Sequence, residues 1–126
     1  NNGERTMKQL KTTNPELIIL IHSLRKKAKE NEAKIWRDIA EDLSHSRKKR
    51  VTVNISRLNR NTRKNENVVV PGKVLGTGKI DHPISIAAFA FSEQAQRKIL
   101  GAKGKCMSIL ELIEKKPKGS QVKIIG

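Results

Sequence analysis

Tyrosine is absent from this chain, and the aromatic side chains number three: Trp36, Phe89 and Phe91. Proteins that hold single-stranded nucleic acid by base stacking use several exposed rings. A stacking platform is therefore excluded as the main mode of binding. There is one cysteine, Cys106, so no internal disulfide forms and a reducing compartment is the natural setting. Long hydrophobic runs are missing as well. The longest in the first half, residues 17–21, has five members, far short of the ~20 that a membrane-spanning helix needs. No signal-peptide pattern opens the chain. Hydrophobic residues make up 36%, below the share usual for a globular domain, which leaves a modest core. Acids are scarce too: 12 Asp and Glu stand against 27 Lys and Arg, for a net charge of +15.

What is present is cationic, and most concentrated near the middle. Between Ser44 and Asn65 there are eight Lys or Arg and no acid. The run opens with Arg47, Lys48, Lys49 and Arg50 and continues as Arg57, Arg60, Arg63 and Lys64. Such a stretch repels itself unless a polyanion lies against it, and nucleic acid is the commonest polyanion in a cell. A solvated basic loop or a localisation signal is the plainer reading. The basic character of the whole chain favours a binding surface. Phosphate contact and shape should dominate, with Asn and Arg still able to read bases.

With 126 residues the chain has the length of one domain. Residues 1–13 read as a disordered basic leader. Residues 14–67 read as a helical appendage carrying the basic arm, and residues 68–126 as a compact α/β unit. Asn14, Pro15 and Glu16 make a helix opening of cap, first-turn proline and dipole-facing acid. Leu17, Leu20, Ile21, Leu24 and Ala28 follow at helical spacing, with Arg25, Lys26, Lys27 and Lys29 in the last turn. A second helix is expected after Asn31 as its cap, burying Trp36, Ile39, Ala40 and Leu43. The pair makes a hairpin that folds on itself or docks on a sheet. Val51, Val53 and Ile55 hint at a short strand. A helix fits better from Asn54, with Arg57, Arg60 and Lys64 on one face and Ile55 and Leu58 on the other.

Beyond residue 67, strands are expected at 68–70, 73–75, 84–91 and 122–125, with Pro71-Gly72 turning the chain. Ser92 caps one helix, and Ser108 with Glu111 makes a capping box for another. The fold class is thus α/β (α+β): N-terminal helices and a basic arm, then a small irregular unit of strands and helices.

Catalytic signals are weak. Residues 72–79 invite comparison with a phosphate loop, but Lys73 stands where the first glycine is needed and Ile80 where Ser or Thr is. A glycine-permitted turn is the simpler account, and Lys73 and Lys79 on it remain able to touch phosphate. His22, His45, His82 and Cys106 lack metal-ligand spacing. No acid, base and nucleophile converge, so no enzyme, cofactor or metal is expected.

Val68-Val69-Val70-Pro71-Gly72-Lys73-Val74-Leu75-Gly76-Thr77-Gly78 resembles the hallmark of the archaeal and eukaryotic large-subunit ribosomal family called eighteen-e. Ile35-Trp36-Arg37-Asp38-Ile39-Ala40, Val53-Asn54-Ile55-Ser56-Arg57 and Gly119-Ser120-Gln121-Val122-Lys123-Ile124 are similar to its other blocks, in the same order. The compact length looks like the archaeal form. Two positions depart from the family: Ser46 replaces a usual proline and Asn61 an often-found tyrosine.

The resemblance implies a structural rRNA-binding role on the cytoplasmic ribosome. The partners would be large-subunit rRNA and neighbouring ribosomal proteins, with no membrane and no small-molecule substrate. It also implies an irregular α/β superhelical C-terminal part like that of the related bacterial fifteen-type protein. Charge and motif position nominate Arg47, Lys48, Lys49, Arg50, Asn54, Arg57, Arg60, Arg63, Lys64, Lys73 and Lys79 as RNA-binding residues, with Asn54 also a helix cap. A DNA-compacting architectural protein, and a protein-docking module with a basic arm, are the rival readings.

Overall fold

The computed structural model describes residues 14–44 and 51–126. The leader at 1–13, and Arg47, Lys48, Lys49 and Arg50, lie outside the described residues.

Helix α1 spans Pro15–Asn31 and opens as its residues dictate. The Asn14 side chain accepts from the Glu16 amide at 3.0 Å, and Pro15 sits where its missing N–H costs nothing. Leu17, Leu20, Ile21 and Leu24 form the buried stripe. Glu32, in the left-handed conformation at φ 50°, ends the helix. Asn31, expected to cap the next helix, is instead the last residue of α1 and donates from Nδ2 to the Lys27 carbonyl. Helix α2, Lys34–Ser44, buries Trp36, Ile39, Ala40 and Leu43. The Trp36 indole N–H donates to the Pro117 carbonyl at 2.7 Å, so this large ring buries its polar edge without leaving it unpaired.

The rest of the chain builds a five-stranded sheet. Its elements are β1 (Val51–Asn54), α3 (Ile55–Asn61), β2 (Asn67–Leu75), β3 (Ser85–Phe91), α4 (Glu93–Gly101), β4 (Lys105–Ser108), α5 (Ile109–Lys115) and β5 (Val122–Ile124). Every strand pairing among the described residues is parallel. Parallel neighbours need crossovers; α3 and α4 supply two of them, the irregular segment 76–84 supplies the step from β2 to β3, and α5 lies on the return from β4 to β5 beside β2.

Strand β2 is the centre. One edge pairs with β3; on the other, β5 takes residues 67–69 and β1 takes 72–75, end to end. Pro71-Gly72 therefore does not turn the chain, and the two strands expected around it are one. A proline inside a central strand normally forfeits a ladder bond. Here it falls where the neighbour changes from β5 to β1, and where the register with β3 shifts between Val70 and Lys73. Gly72 is required because a Cβ there would overlap the Val51 carbonyl.

Both faces of the sheet are covered. Val69 and Ala87 face α1, α2 and α5, joining Trp36, Leu24, Ile109 and Leu112 in one apolar cluster. Val68, Val70, Ile86 and Ala88 face α3 and α4, with Leu58, Ala95 and Ile99. The near-continuous apolar runs of β2 and β3 follow from burial on both sides. The helical hairpin thus packs on itself and on the sheet.

Candidate nucleic-acid interface

Helix α3 anchors through Ile55 and Leu58, both fully buried, and turns Arg57 and Arg60 outward. The sequence pattern extended this cationic stripe to Lys64, but the helix stops at Asn61. Thr62 ends it: its backbone is extended, its hydroxyl donates to the Leu58 carbonyl at 2.6 Å, and its Oγ1 lies 2.8 Å from His82 Nε2. Arg63 and Lys64 are exposed in the turn that follows, where Asn65 adopts φ 66°. The Glu66 carboxylate accepts from the Arg63 amide and closes this turn.

The segment 76–84 is strapped to α3 along its length. The Ser56 amide donates to Thr77 O at 3.3 Å, the Asp81 amide to Asn59 Oδ1 at 3.2 Å, and the Asn65 amide to Pro83 O at 2.7 Å. Gly78 holds φ 97° and packs against Ser56 so closely that no Cβ fits. From the other side, Lys98 of α4 donates to the carbonyls of both Gly76 and Gly78, at 2.8 and 2.7 Å. Lys79, two residues from the Asp81–Asn59 bond, is therefore fixed beside α3. No phosphate-loop geometry is present, since a strand rather than a helix follows.

Arg57, Arg60, Arg63, Lys64 and Lys79 thus belong to one exposed surface. Lys73 does not share it. It pairs with Thr52 in β1 and alternates with buried Val74, which faces α3, so Lys73 points to the opposite side of the sheet. Asn54 is exposed on that same opposite side, and its side chain makes no capping bond to α3. Lys73 and Asn54 therefore form a second, smaller polar strip at the C-terminal end of the strands.

Among the described residues, no hydrogen bond or ion pair occupies the side chains of Arg60, Lys64, Lys73 or Lys79. Arg57 differs: its Nη2 donates to the Gly126 main-chain oxygen at 2.7 Å. Lys123 reaches the same region, donating to Asn61 O at 3.0 Å and pairing with Glu66 at 3.3 Å. The C-terminal residues are thereby tied across α3. The local acids serve this scaffold. The Arg63 amide, then the Lys123 ammonium, hold the Glu66 carboxyl below its usual range. The hydrogen bond from His82 does the same for Asp81. Cys106 behaves as a half-buried hydrophobe, with burial raising its thiol pKa.

Sequence reasoning missed Lys98 and Asn59, and read His82 as turn chemistry without its tie to Thr62. Nothing in their spacing separates them from other polar surface residues. A further concavity with a volume of about 960 Å3 lies at the α1–α2 turn. Arg25, Lys29, Lys34 and Arg37 line it, interleaved with Glu32 and Asp38, so it offers mixed rather than purely positive charge. No group of His, Cys, Asp or Glu among the described residues is arranged to hold a metal ion, and no described helix is long and apolar enough to cross a membrane.

A small parallel α/β scaffold thus presents cations without counter-ions from a strapped helix and loop, the class of surface whose charge suits a polyanion. Comparison with known proteins narrows that class. The profile described as "Ribosomal protein 60S L18 and 50S L18e" matches residues 1–126, and the chain belongs to this family. It is 50% identical over 113 residues to "Large ribosomal subunit protein eL18" of Methanoregula boonei, covering 90% of this chain and 93% of that one. The proteins of the same name from Methanothermobacter thermautotrophicus and Archaeoglobus fulgidus are 42% and 44% identical. These alignments cover 94% and 92% of this chain and 98% and 99% of theirs.

Proposed function

We propose that this chain is a structural constituent of the large ribosomal subunit that binds folded rRNA and neighbouring ribosomal proteins. Membership of the ribosomal family supports the role. The observation that carries the mode of binding is the group of cations without counter-ions on α3, its following turn and the strapped loop. A surface of fixed positive charge is costly when bare and stabilising against phosphate.

In this reading Arg60, Arg63, Lys64 and Lys79 neutralise phosphates from one side of the molecule. Arg47, Lys48, Lys49 and Arg50, in the segment joining α2 to β1, reach further strands. Lys73 and Asn54 contact RNA from the opposite side of the sheet. Arg57 contributes charge while holding the C-terminal residues in place. The scaffold keeps these groups in register, so that RNA segments are held together rather than acted upon.

The test is binding of the full chain to a large-subunit rRNA fragment over a salt series, with duplex DNA as competitor. Changing Arg47, Lys48, Lys49 and Arg50 together to Ala should weaken binding and flatten the dependence of log K on log salt by roughly one for each phosphate no longer neutralised. An unchanged slope counts against the arm. Equal competition by duplex DNA counts against preference for folded RNA.

A further inference from the structure

One concavity on this cationic molecule is lined mostly by apolar side chains. It lies between the start of α1, the C-terminal half of β3 and the start of α5, with a volume of about 280 Å3. Ile19, Leu20, Phe89, Ile109 and Leu110 line it, with Glu16 and Ser108 at its lip. Ile19 is 58% exposed and Leu110 37%. Isolated exposed hydrophobics are ordinary. Two such residues on one groove make an interaction surface.

The charge around it identifies the class of partner. Among the described residues, no Lys or Arg lines this groove. The charges present are acidic. Glu16 lines the groove itself. The Glu111 carboxylate folds back toward the Ser108 amide, at 3.4 Å, which brings it to the same lip. Both acids also serve helix N-termini, and neither has a Lys or Arg partner among the described residues. Phosphate is disfavoured beside two carboxylates, and bare solvent is disfavoured beside Ile19 and Leu110.

We infer that this groove docks an extended segment of a neighbouring ribosomal protein, one whose apolar side chains are flanked by Lys or Arg. The apolar residues fill the space between Ile19 and Leu110, and the flanking cations meet Glu16 and Glu111. The molecule then divides its partners: rRNA at α3 and at the strip of Lys73 and Asn54, protein at the groove between α1 and α5. The inference rests on the ribosomal reading for where the partner is found.

The test places a photo-crosslinking residue, p-benzoylphenylalanine, at position 110 or at position 60 of the full chain incorporated into purified large subunits. The position-110 probe should cross-link to one identified protein of the subunit, within a segment holding an apolar residue next to Lys or Arg. A cross-link from position 110 to rRNA, to this chain's own residues, or to nothing overturns the inference. The position-60 probe reads the RNA face separately: it should reach rRNA, and its failure to do so overturns the binding mode proposed for α3 without bearing on the groove. In chain carrying the position-110 probe, Glu16→Lys leaves the Asn14 cap in place and should lower the yield of the protein cross-link about threefold or more. An undiminished yield removes the charge argument and with it the proposed partner chemistry.

Discussion

The two faces of the sheet are held by different physics. On one, α1, α2 and α5 bury a contiguous apolar cluster around Trp36, with the Trp36–Pro117 bond as a long-range polar tie. On the other, the seven-residue α3 and nine-residue α4 bury fewer side chains. Polar straps carry more of that face: Lys98 to Gly76 and Gly78, Asn59 to Asp81, Thr62 to His82. The difference follows from what each face must do. A face that presents cations outward cannot also be covered by a thick apolar layer. Its loop is kept in place by directional bonds, which fix geometry with few residues.

The contrast is best broken at its strongest point. Trp36→Ala should cost about 3–5 kcal/mol in a denaturant titration, because it opens a cavity in the apolar face and orphans the Pro117 carbonyl. On the strapped side, Lys98→Met should cost about 1–3 kcal/mol, since it leaves the Gly76 and Gly78 carbonyls without their charged donor. Its distinguishing result is local: faster amide exchange across 76–80 and weaker rRNA binding, which Trp36→Ala should not produce in molecules that remain folded.

Smaller effects sharpen the comparison. Ser108→Ala removes the capping-box acceptor for the Glu111 amide and should cost about 1 kcal/mol, with no change in the salt dependence of RNA binding. Arg60→Ala should do the reverse. Stability should stay within about 0.5 kcal/mol, while the slope of log K against log salt falls by roughly one.

The smallest expected effect is acid sensitivity of the strapped side. The carboxyls of Glu66 and Asp81 are held below their ordinary values of 4.5 and 3.8. Their stabilising contribution is therefore complete above those values and disappears as pH falls through the lower folded-state pKa. Glu66→Gln should remove its share of that acid-side destabilisation in a thermal-melt series, and a pH profile identical to the parent would refute the assignment.

Much of this is legible in the sequence because it is local. The α1 opening at Asn14-Pro15-Glu16, the Ser92 cap and the Ser108–Glu111 capping box depend on residues within three or four positions of each other. The ribosomal resemblance is carried by contiguous blocks, and the family assignment agrees with it. What escapes is set by distant partners. Pro71-Gly72 reads as a turn until β5 and β1 are seen to share one edge of β2. The stripe from Arg57 to Lys64 reads as one helix until His82, twenty residues on, meets Thr62 where that helix ends. Lys98 looks like any other cation until two glycine carbonyls come within reach of its ammonium.

Composition and order alone determined the charge, the modest core, the family blocks and the places where helices start, because these depend on identity and on neighbours along the chain. The division of cations between two sides of the sheet, the strapping of the glycine segment, and the acidic-lipped apolar groove were decided only in three dimensions. The parallel sheet is the reason: its strands pair residues far apart in the chain, from Lys73 with Ala90 to Asn67 with Val122, and alternation along each strand sends neighbours such as Lys73 and Val74 to opposite faces.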